Sequence, residues 1–535
     1  MLKRTAMVYG MCTILLMTMI LRLYWVGQGE TITQAMAGQS RYTLQVGSTR
    51  GGIYDCNLKP LVGGEEQAIS AVVPTTNILP VLQQVQEEEK QALLALMEEG
   101  KPFLWQGDLG EHPGVEVFGL PIRYTDGTAA HVVGYLDGAG QGITGIEKAC
   151  NDLLEGYGTE YTVSCSVDAA GHALSDDITA TGRREPPGGV VLSLDRGFQK
   201  AAEQALADYG GAGAAVVMDI WTGEVKAMAS TPTFDQNDVA SALEAPDGPL
   251  LNRALCTYNV GSSFKLAVAA AALEMGVPTD MTYTCPGYIE VEGTVFHCHN
   301  LAGHGTIAMP EAVQRSCNVY FIKLARDIGG EAILQTAQRL GFGSGTRLAE
   351  GMKGGEGELP ALAELEGGEL ANFSFGQGKL TATPLQLASM AAAIANGGEL
   401  VTPRLVLGTT DDGQTLTNPL PRYAPNRAIS GSTAQTLQKM MVQVVEQGSG
   451  GNAKPQRGGA GGKTASAQTG TVDEAGEEIV HAWFVGFYPA AMPRWSVVTL
   501  CEGGGSGGNT AAPVFRQICD GIAGLGHVAD DSNIP

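Results

Sequence analysis

Apolar positions change period several times along the chain. Ala6 to Leu21 form an unbroken apolar run behind Lys3 and Arg4; Arg22 interrupts it and Leu23 to Val26 resume it. About 20 such residues suffice to cross a bilayer as a helix. Arg22 then lies near the far interface, where its long stem can snorkel. The leading basic pair predicts a cytoplasmic N-terminus with the remainder outside. Ala35-Met36-Ala37 resembles a leader-cleavage site but lies well past the apolar run, so a retained anchor is expected. Beyond it, Tyr42 to Val46 alternates as a strand does, and Pro80 to Glu99 carries Leu and Val at helical spacing. Ile146 to Leu154 also reads as a helix.

The polar, Gly/Pro/Arg-rich segment Ser175 to Gly189 marks the expected boundary between two domains. After it, Val190 to Leu194 reads as a strand and Phe198 to Leu206 as a helix. Ala214 to Met218 and Val225 to Ala229 read as a hairpin. Helices are expected over Phe264–Met275, Met309–Gly329, Pro384–Asn396 and Ser432–Gln447, and strands over Ala482–Tyr488 and Trp495–Cys501. Strands at both ends of a region with helices between them predict one α+β domain whose sheet closes from its two ends. The expected organisation is a tip and anchor over 1–26, an N-terminal domain over 27–188 and a C-terminal domain over 189–535.

Composition narrows the function. The 535 residues hold 44% hydrophobic and only 6% aromatic residues, with 74 glycines, which suits turns and small-residue packing rather than a coiled coil. A net charge of −23 and the lack of any Lys/Arg-rich block argue against nucleic acid as a partner. Ten cysteines are scattered without a C-x-x-C. Cys285 and Cys298 flank an irregular stretch and are the best candidate disulfide pair. Cys298 lies between His297 and His299, with His304 nearby, but this spacing matches no strong zinc pattern, and neither a metal nor a cofactor is expected.

Three short motifs carry chemistry. Ser262-Ser263-Phe264-Lys265 is an S-x-x-K tetrad at the start of an Ala-rich helix that Gly276 can cap. Residues three apart share a helix face, so Lys265 is expected beside the Ser262 hydroxyl. A desolvated Lys with a depressed pKa can take a serine proton and make it a nucleophile. The helix N-terminus adds a positive field. Ser316-Cys317-Asn318 is an S-x-N triplet ahead of an apolar helical run; alone it could be an N-cap. Lys463-Thr464-Ala465-Ser466 follows Gly461-Gly462 and can form a strand beside a cleft. Each is weak alone.

Together, S-x-x-K, S-x-N and K-T-x, about 50 and then about 150 residues apart, form the pattern of penicillin-binding proteins and serine β-lactamases, except that Ala465 stands where the third motif usually has Gly. The chain most resembles the class B penicillin-binding proteins. Asn252-Arg253-Ala254 resembles their approach to the nucleophile. Gly376-Gln377-Gly378 with Thr383-Pro384-Leu385-Gln386, and His481 to Gly486, resemble their later segments. Arg50 to Asp55 and Gly145-Ile146-Glu147 resemble motifs of their pedestal.

The resemblance implies a pedestal over 27–188 and a peptidoglycan D,D-transpeptidase domain over 189–535, inhibited covalently by β-lactams. It implies that Ser262 attacks the carbonyl between the last two D-alanines of a stem peptide. Lys265 takes the proton and Ser316 relays it to the leaving D-alanine. Asn318 bonds a substrate amide, Lys463 supplies positive potential, and Thr464 and Ser466 hold the terminal carboxylate. Backbone N–H groups of Ser262 and Ser466 form the oxyanion hole. A membrane glycosyltransferase is the implied partner. Rival readings are a D,D-carboxypeptidase, a serine β-lactamase, and a non-catalytic β-lactam sensor or cell-wall scaffold. No Glu-x-x-Leu-Asn segment between the second and third motifs supports a β-lactamase, and only Met1 to Thr5 precede the apolar run, too little for a sensor's signalling portion.

Overall fold

The computed structural model describes residues 2–27, 41–74, 79–182, 187–473 and 475–526. The possible cleavage site Ala35-Met36-Ala37 and part of the expected domain boundary lie outside them. The chain divides into two compact units.

The first unit comprises Met1–Arg50, Gly63–Arg123 and Gly158–Glu185. Its helix Leu2–Gly27 is long and apolar enough over Lys3–Trp25 to cross a membrane. Two three-stranded antiparallel sheets follow. In one, Glu160–Ser166 lies between Arg41–Ser48 and Thr179–Thr181. In the other, Glu65–Val72 lies between Phe103–Gln106 and Val115–Ile122. The helix expected over residues 80–99 is broken: Leu79–Leu82 forms one turn and Lys90–Glu98 the helix. Glu87, Glu88 and Glu89 repel one another in mid-helix but are favoured just ahead of a helix N-terminus, where the dipole is positive.

The second unit comprises Gly51–Val62, Tyr124–Tyr157 and Pro186–Pro535. Two pieces that resemble pedestal motifs, from Gly51 to Asp55 and Gly145-Ile146-Glu147, therefore pack in the unit that holds the chemical motifs. The stretch expected to be one helix over 146–154 is two short ones, Gly145–Ala149 and Asn151–Gly156, broken at Cys150. The fold is α+β, as expected, around a five-stranded antiparallel sheet. Its strands are β1 (Gly213–Asp219), β2 (Val225–Thr231), β3 (Gly461–Val472), β4 (Glu478–Tyr488) and β5 (Trp495–Cys501), in the order β2-β1-β5-β4-β3. The sheet thus closes the beginning of the domain against its end, with β3 on one edge.

Both faces of the sheet are buried, which explains why its strands read as continuous apolar runs. Along β5, Trp495, Val497 and Cys501 enter one core and Val498 and Leu500 the other. Along β4, Ala482, Phe484 and Tyr488 share the first core and Trp483, Val485 and Phe487 the second. This is the two-residue period of a strand placed between two cores. Six helices matter here: α1 (Arg196–Tyr209), α2 (Lys265–Glu274), α3 (Asn318–Ile328), α4 (Pro384–Ala395), α5 (Gly431–Gln447) and α6 (Ala512–Gly524). Helices α1 and α6 cover the first face and α4 the second. Helix α1 is punctuated by Asp195, whose carboxylate accepts from the Gly197 and Phe198 amides, and by left-handed Gly210 after its end. Helix α4 is buried along its whole length. Thr383 and Gln386 form its capping box, and the Gln386 amide also donates to the carbonyls of Gly341, Ser344 and Glu356. The Thr383-to-Gln386 segment is therefore a structural anchor.

Candidate active site

Ser262 lies in a 3-10 turn, Gly261–Phe264, that leads directly into α2. The turn is fixed from several sides. Ser263 is buried and donates to the Val260 carbonyl at 2.7 Å. Asn259 donates to the Gln468 carbonyl of β3 at 3.1 Å and accepts from the Trp483 indole of β4 at 3.1 Å. Gly261 adopts φ +53°, and a Cβ there would come within 2.9 Å of the Ser466 carbonyl. Behind it, the Gly376 carbonyl accepts from the Gly261 amide at 3.0 Å. A Cβ on Gly376, at φ +83°, would sit 1.9 Å from the Gly261 carbonyl oxygen. The two backbones touch, so neither position has room for a side chain.

Upstream, Arg253 is 4% exposed and donates to Glu502 at 2.9 Å, to the Gly248 carbonyl at 3.0 Å and to the Asp247 carbonyl at 2.6 Å. Tyr258 donates to the same Glu502 oxygen at 2.7 Å. This network ties the approach to Ser262 to the end of β5. Glu502, which follows Cys501 in a Gly-rich stretch, carries no sequence signal of this role.

Lys265 is fully buried. Its ammonium donates to the Ser316 carbonyl at 2.8 Å, Ser316 Oγ at 3.2 Å and Asn318 Oδ1 at 2.6 Å. The first and second motifs therefore meet through this one nitrogen. Among the described residues no hydrogen bond joins Lys265 to Ser262. The side chain that helical spacing places beside Ser262 spends its three protons on the second motif. Burial pushes its pKa down to about 8, with the Cys317 and Cys298 sulfurs opposing.

The helix expected over 309–329 is two helices, Met309–Gln314 and α3, because Ser316 holds φ +53° between them. A non-glycine residue in this region costs about 1–3 kcal/mol and is concentrated at functional sites. Cys317, rather than Ser316 or Asn318, is the N-cap, its sulfur accepting from the Tyr320 amide at 3.4 Å. Asn318 donates to the His297 carbonyl at 3.0 Å, so its amide is held at both ends.

The third motif lies on edge strand β3. Lys463 is fully buried and donates to the Thr464 carbonyl at 2.8 Å. Burial, and then the Lys265 charge, press its pKa well below the usual lysine range. The Thr464 hydroxyl pairs with Ser449 at 2.7 Å, and Ser466 is exposed and accepts from the Gly507 amide at 3.3 Å. Ser449 lies in a Gly-rich loop and Gly507 opens the short π-helical turn Gly507–Ala511, neither of which sequence patterning resolves. Ala465 is 2% exposed and packs in the main core with Ala467, on alternate positions from Thr464 and Ser466. Its methyl is part of the core behind the strand.

All the described cysteines are free, Cys285 and Cys298 included. The expected pair is not a disulfide: the two sulfurs lie with Cys317 and His304, within 4.8 Å of one another.

Residues 213–520 match the model of the penicillin-binding protein transpeptidase domain. The chain is 33% identical over 462 residues to the peptidoglycan D,D-transpeptidase MrdA of Acinetobacter baumannii, covering 75% of this chain and 67% of that protein. It is 32% identical over 418 residues to the stage V sporulation protein D of Bacillus subtilis, covering 74% of this chain and 63% of that one. The crystal structure of penicillin-binding protein 3 from Mycobacterium tuberculosis complexed with ampicillin is similar at a TM-score of 0.66 and 25% identity, over 92% of this chain and 99% of that one.

Proposed function

The chain belongs to the penicillin-binding protein transpeptidase family, and on that premise we propose that it is a peptidoglycan D,D-transpeptidase that β-lactams acylate, with Ser262 as nucleophile. The observation that carries the residue roles is the Lys265 ammonium, one helical turn from Ser262 and shared by Ser316 and Asn318.

Ser262 Oγ attacks the carbonyl carbon of the D-Ala-D-Ala bond and its proton passes to neutral Lys265. A pKa of about 8 leaves about a tenth of Lys265 neutral at pH 7, far more than an ordinary lysine offers. The oxyanion is held by the backbone N–H groups of Ser262 and Ser466, which the contact between Gly261 and Ser466 supports. The C–N bond breaks, Ser316 passes the proton to the leaving D-alanine amine, and an ester on Ser262 remains. An acceptor amine then attacks the ester, giving a new amide and restoring the hydroxyl. No ATP is consumed, because the ester keeps the energy of the broken amide. Asn318 orients the substrate amide. Thr464, Ser466 and Lys463 receive the terminal carboxylate, whose charge favours protonation of the otherwise depressed Lys463.

The domains are an anchor over 1–26, a pedestal over 27–188 and the transpeptidase domain from 189, with 51–62 and 124–157 packing in the catalytic unit. The helix Leu2–Gly27 anchors the chain in the cytoplasmic membrane with the catalytic unit outside. The partner is a membrane glycosyltransferase that supplies glycan strands.

Purified full-length chain given a stem pentapeptide and an acceptor amine should release D-alanine and form the amide-linked product in equal amounts. D-alanine without that product identifies a carboxypeptidase. Turnover of β-lactam with neither identifies a β-lactamase.

A further inference from the structure

The turn over 220–223 joins β1 to β2 and leaves Trp221 57% exposed, whereas Trp483 and Trp495 of the same sheet are buried. A lone exposed apolar side chain is ordinary. Trp221 differs in how firmly it is held and in what surrounds it. The buried Asp219 carboxylate accepts from the Trp221 and Thr222 amides at 2.9 Å each, and Gly223 takes φ +71°. The Ile220 carbonyl accepts from the side-chain amide of Asn396, just past α4, at 2.8 Å. The turn is thus pre-organised, so a ligand that meets Trp221 pays little to order it.

Cations flank the turn on both sides. Arg494 reaches Asp219 at 2.7 Å, and Arg422 reaches Glu224 at 3.1 Å. Lys226 holds the other Glu224 oxygen at 2.9 Å. The Arg404 backbone amide donates to the Gly223 carbonyl at 2.9 Å, and its charge also acts on Glu224. Four cations therefore share two carboxylates here, in a chain whose net charge is −23. The Arg422 and Arg494 side chains are more than half exposed, and one carboxylate engages only part of a five-donor guanidinium. Tyr423, next to Arg422, is 75% exposed.

This surface is separate from the cleft. Ser466 is level with Ala482, Cys501 and Gly213 across the sheet, and Asp219 ends β1 six residues beyond Gly213. Six residues of strand are about 20 Å. Exposed aromatic faces suit the C–H faces of sugar rings, and arginine forks suit carboxylates. An uncrosslinked peptidoglycan strand offers both, in its sugars and in its stem peptides. A strongly acidic chain repels such a polyanion elsewhere on its surface.

We propose that Trp221, Tyr423, Arg404, Arg422 and Arg494 form a second binding surface, outside the cleft of Ser262, for an uncrosslinked peptidoglycan strand. A strand held there raises the local concentration of its own stem peptides at the cleft, which lowers KM for long strands without altering the chemical step. The choice of ligand rests on the transpeptidase reading above.

Full-length protein in detergent, its Ser262 first acylated by penicillin, should be retained on immobilised uncrosslinked strands, and less so as salt is raised. Trp221→Ala and Arg422→Ala should each weaken retention about tenfold. Leu174→Ala, which removes a similarly exposed apolar side chain from the first unit, should leave it unchanged. In Trp221→Ala, KM for long strands should rise about fivefold, with kcat and the turnover of a free stem pentapeptide unchanged. Acylation by penicillin at the unaltered rate shows that the variant is folded. If the transpeptidase reading itself fails, the unaltered chain releases no D-alanine from either substrate, a result that retention does not share. Unchanged retention in the double variant Trp221→Ala, Arg422→Ala, retention abolished by acylation of Ser262, or equal retention on polyglutamate would each overturn the surface.

Discussion

The two walls that flank Ser262 are built on opposite plans. One is strand β3, held in register by β4 along Gly461–Gln468 and backed by the main core. The other is the Ser316–Asn318 turn, a left-handed residue between two helices, steadied by a buried lysine and a cluster of sulfurs. Regular hydrogen bonding fixes the first wall whatever its side chains, provided they alternate correctly. The second is tied to the preceding helix only by single backbone bonds, from the Ser316 amide to the Val313 carbonyl and from the Cys317 amide to the Ala312 carbonyl, so particular side chains carry more of its hold. Substitutions that spare Lys463, Thr464 and Ser466 should therefore be tolerated on the strand, whereas those on the turn should be costly.

The largest effect is expected at Lys265. Lys265→Ala removes both the proposed proton acceptor and the tie between the first and second motifs, and the second-order rate of acylation by a penicillin should fall by about 10²–10⁴. In the unaltered chain that rate should rise with pH through about 8, because only neutral Lys265 can accept the serine proton. The groups acting on it are the sulfurs of Cys317 and Cys298, and it in turn presses on Lys463. A flat profile from pH 6 to about 9 would contradict this role for Lys265.

Next comes Gly376→Ala, which sets a methyl against the Gly261 carbonyl at a positive φ. It should destabilise the chain by about 3 kcal/mol, read as a lower denaturant midpoint, with slower acylation. Glu502→Gln removes the charge that Arg253 and Tyr258 share, and about 1–3 kcal/mol of stability should go with it in the same assay. The smallest effect is expected at Ala465→Gly. The methyl belongs to the core, so its loss should cost about 1 kcal/mol and change acylation less than about threefold. A large gain in acylation would mean that the methyl blocks the cleft, reversing the assignment of the tolerant wall.

The same contrast explains what the sequence discloses. The sheet was legible because its strands are apolar on both faces: 214–218, 225–229, 482–488 and 495–501 all fall within observed strands. The edge strand of the third motif was legible from its motif rather than its pattern, since Lys463 and Thr464 interrupt the apolar run. The break at Ser316 was legible only through the capping tendency of the Ser316–Asn318 triplet, because no Gly or Pro marks it and the apolar period runs through it. The sulfur cluster was legible in part: Cys285, Cys298 and His304 stand out in the sequence, but their packing with Cys317 closes only in three dimensions. Glu502 and Ser449 sit in Gly-rich loops, where their roles follow from tertiary contacts alone. Lys265 was legible as a neighbour of Ser262 by helical spacing, but the three bonds it makes to the second motif required the fold.

The most direct test of the account is to incubate the purified chain with a labelled penicillin and map the adduct by peptide mass spectrometry. The account predicts a long-lived adduct on Ser262 that is absent from a folded Ser262→Ala variant. An adduct on another residue, or label that persists in Ser262→Ala, would contradict it.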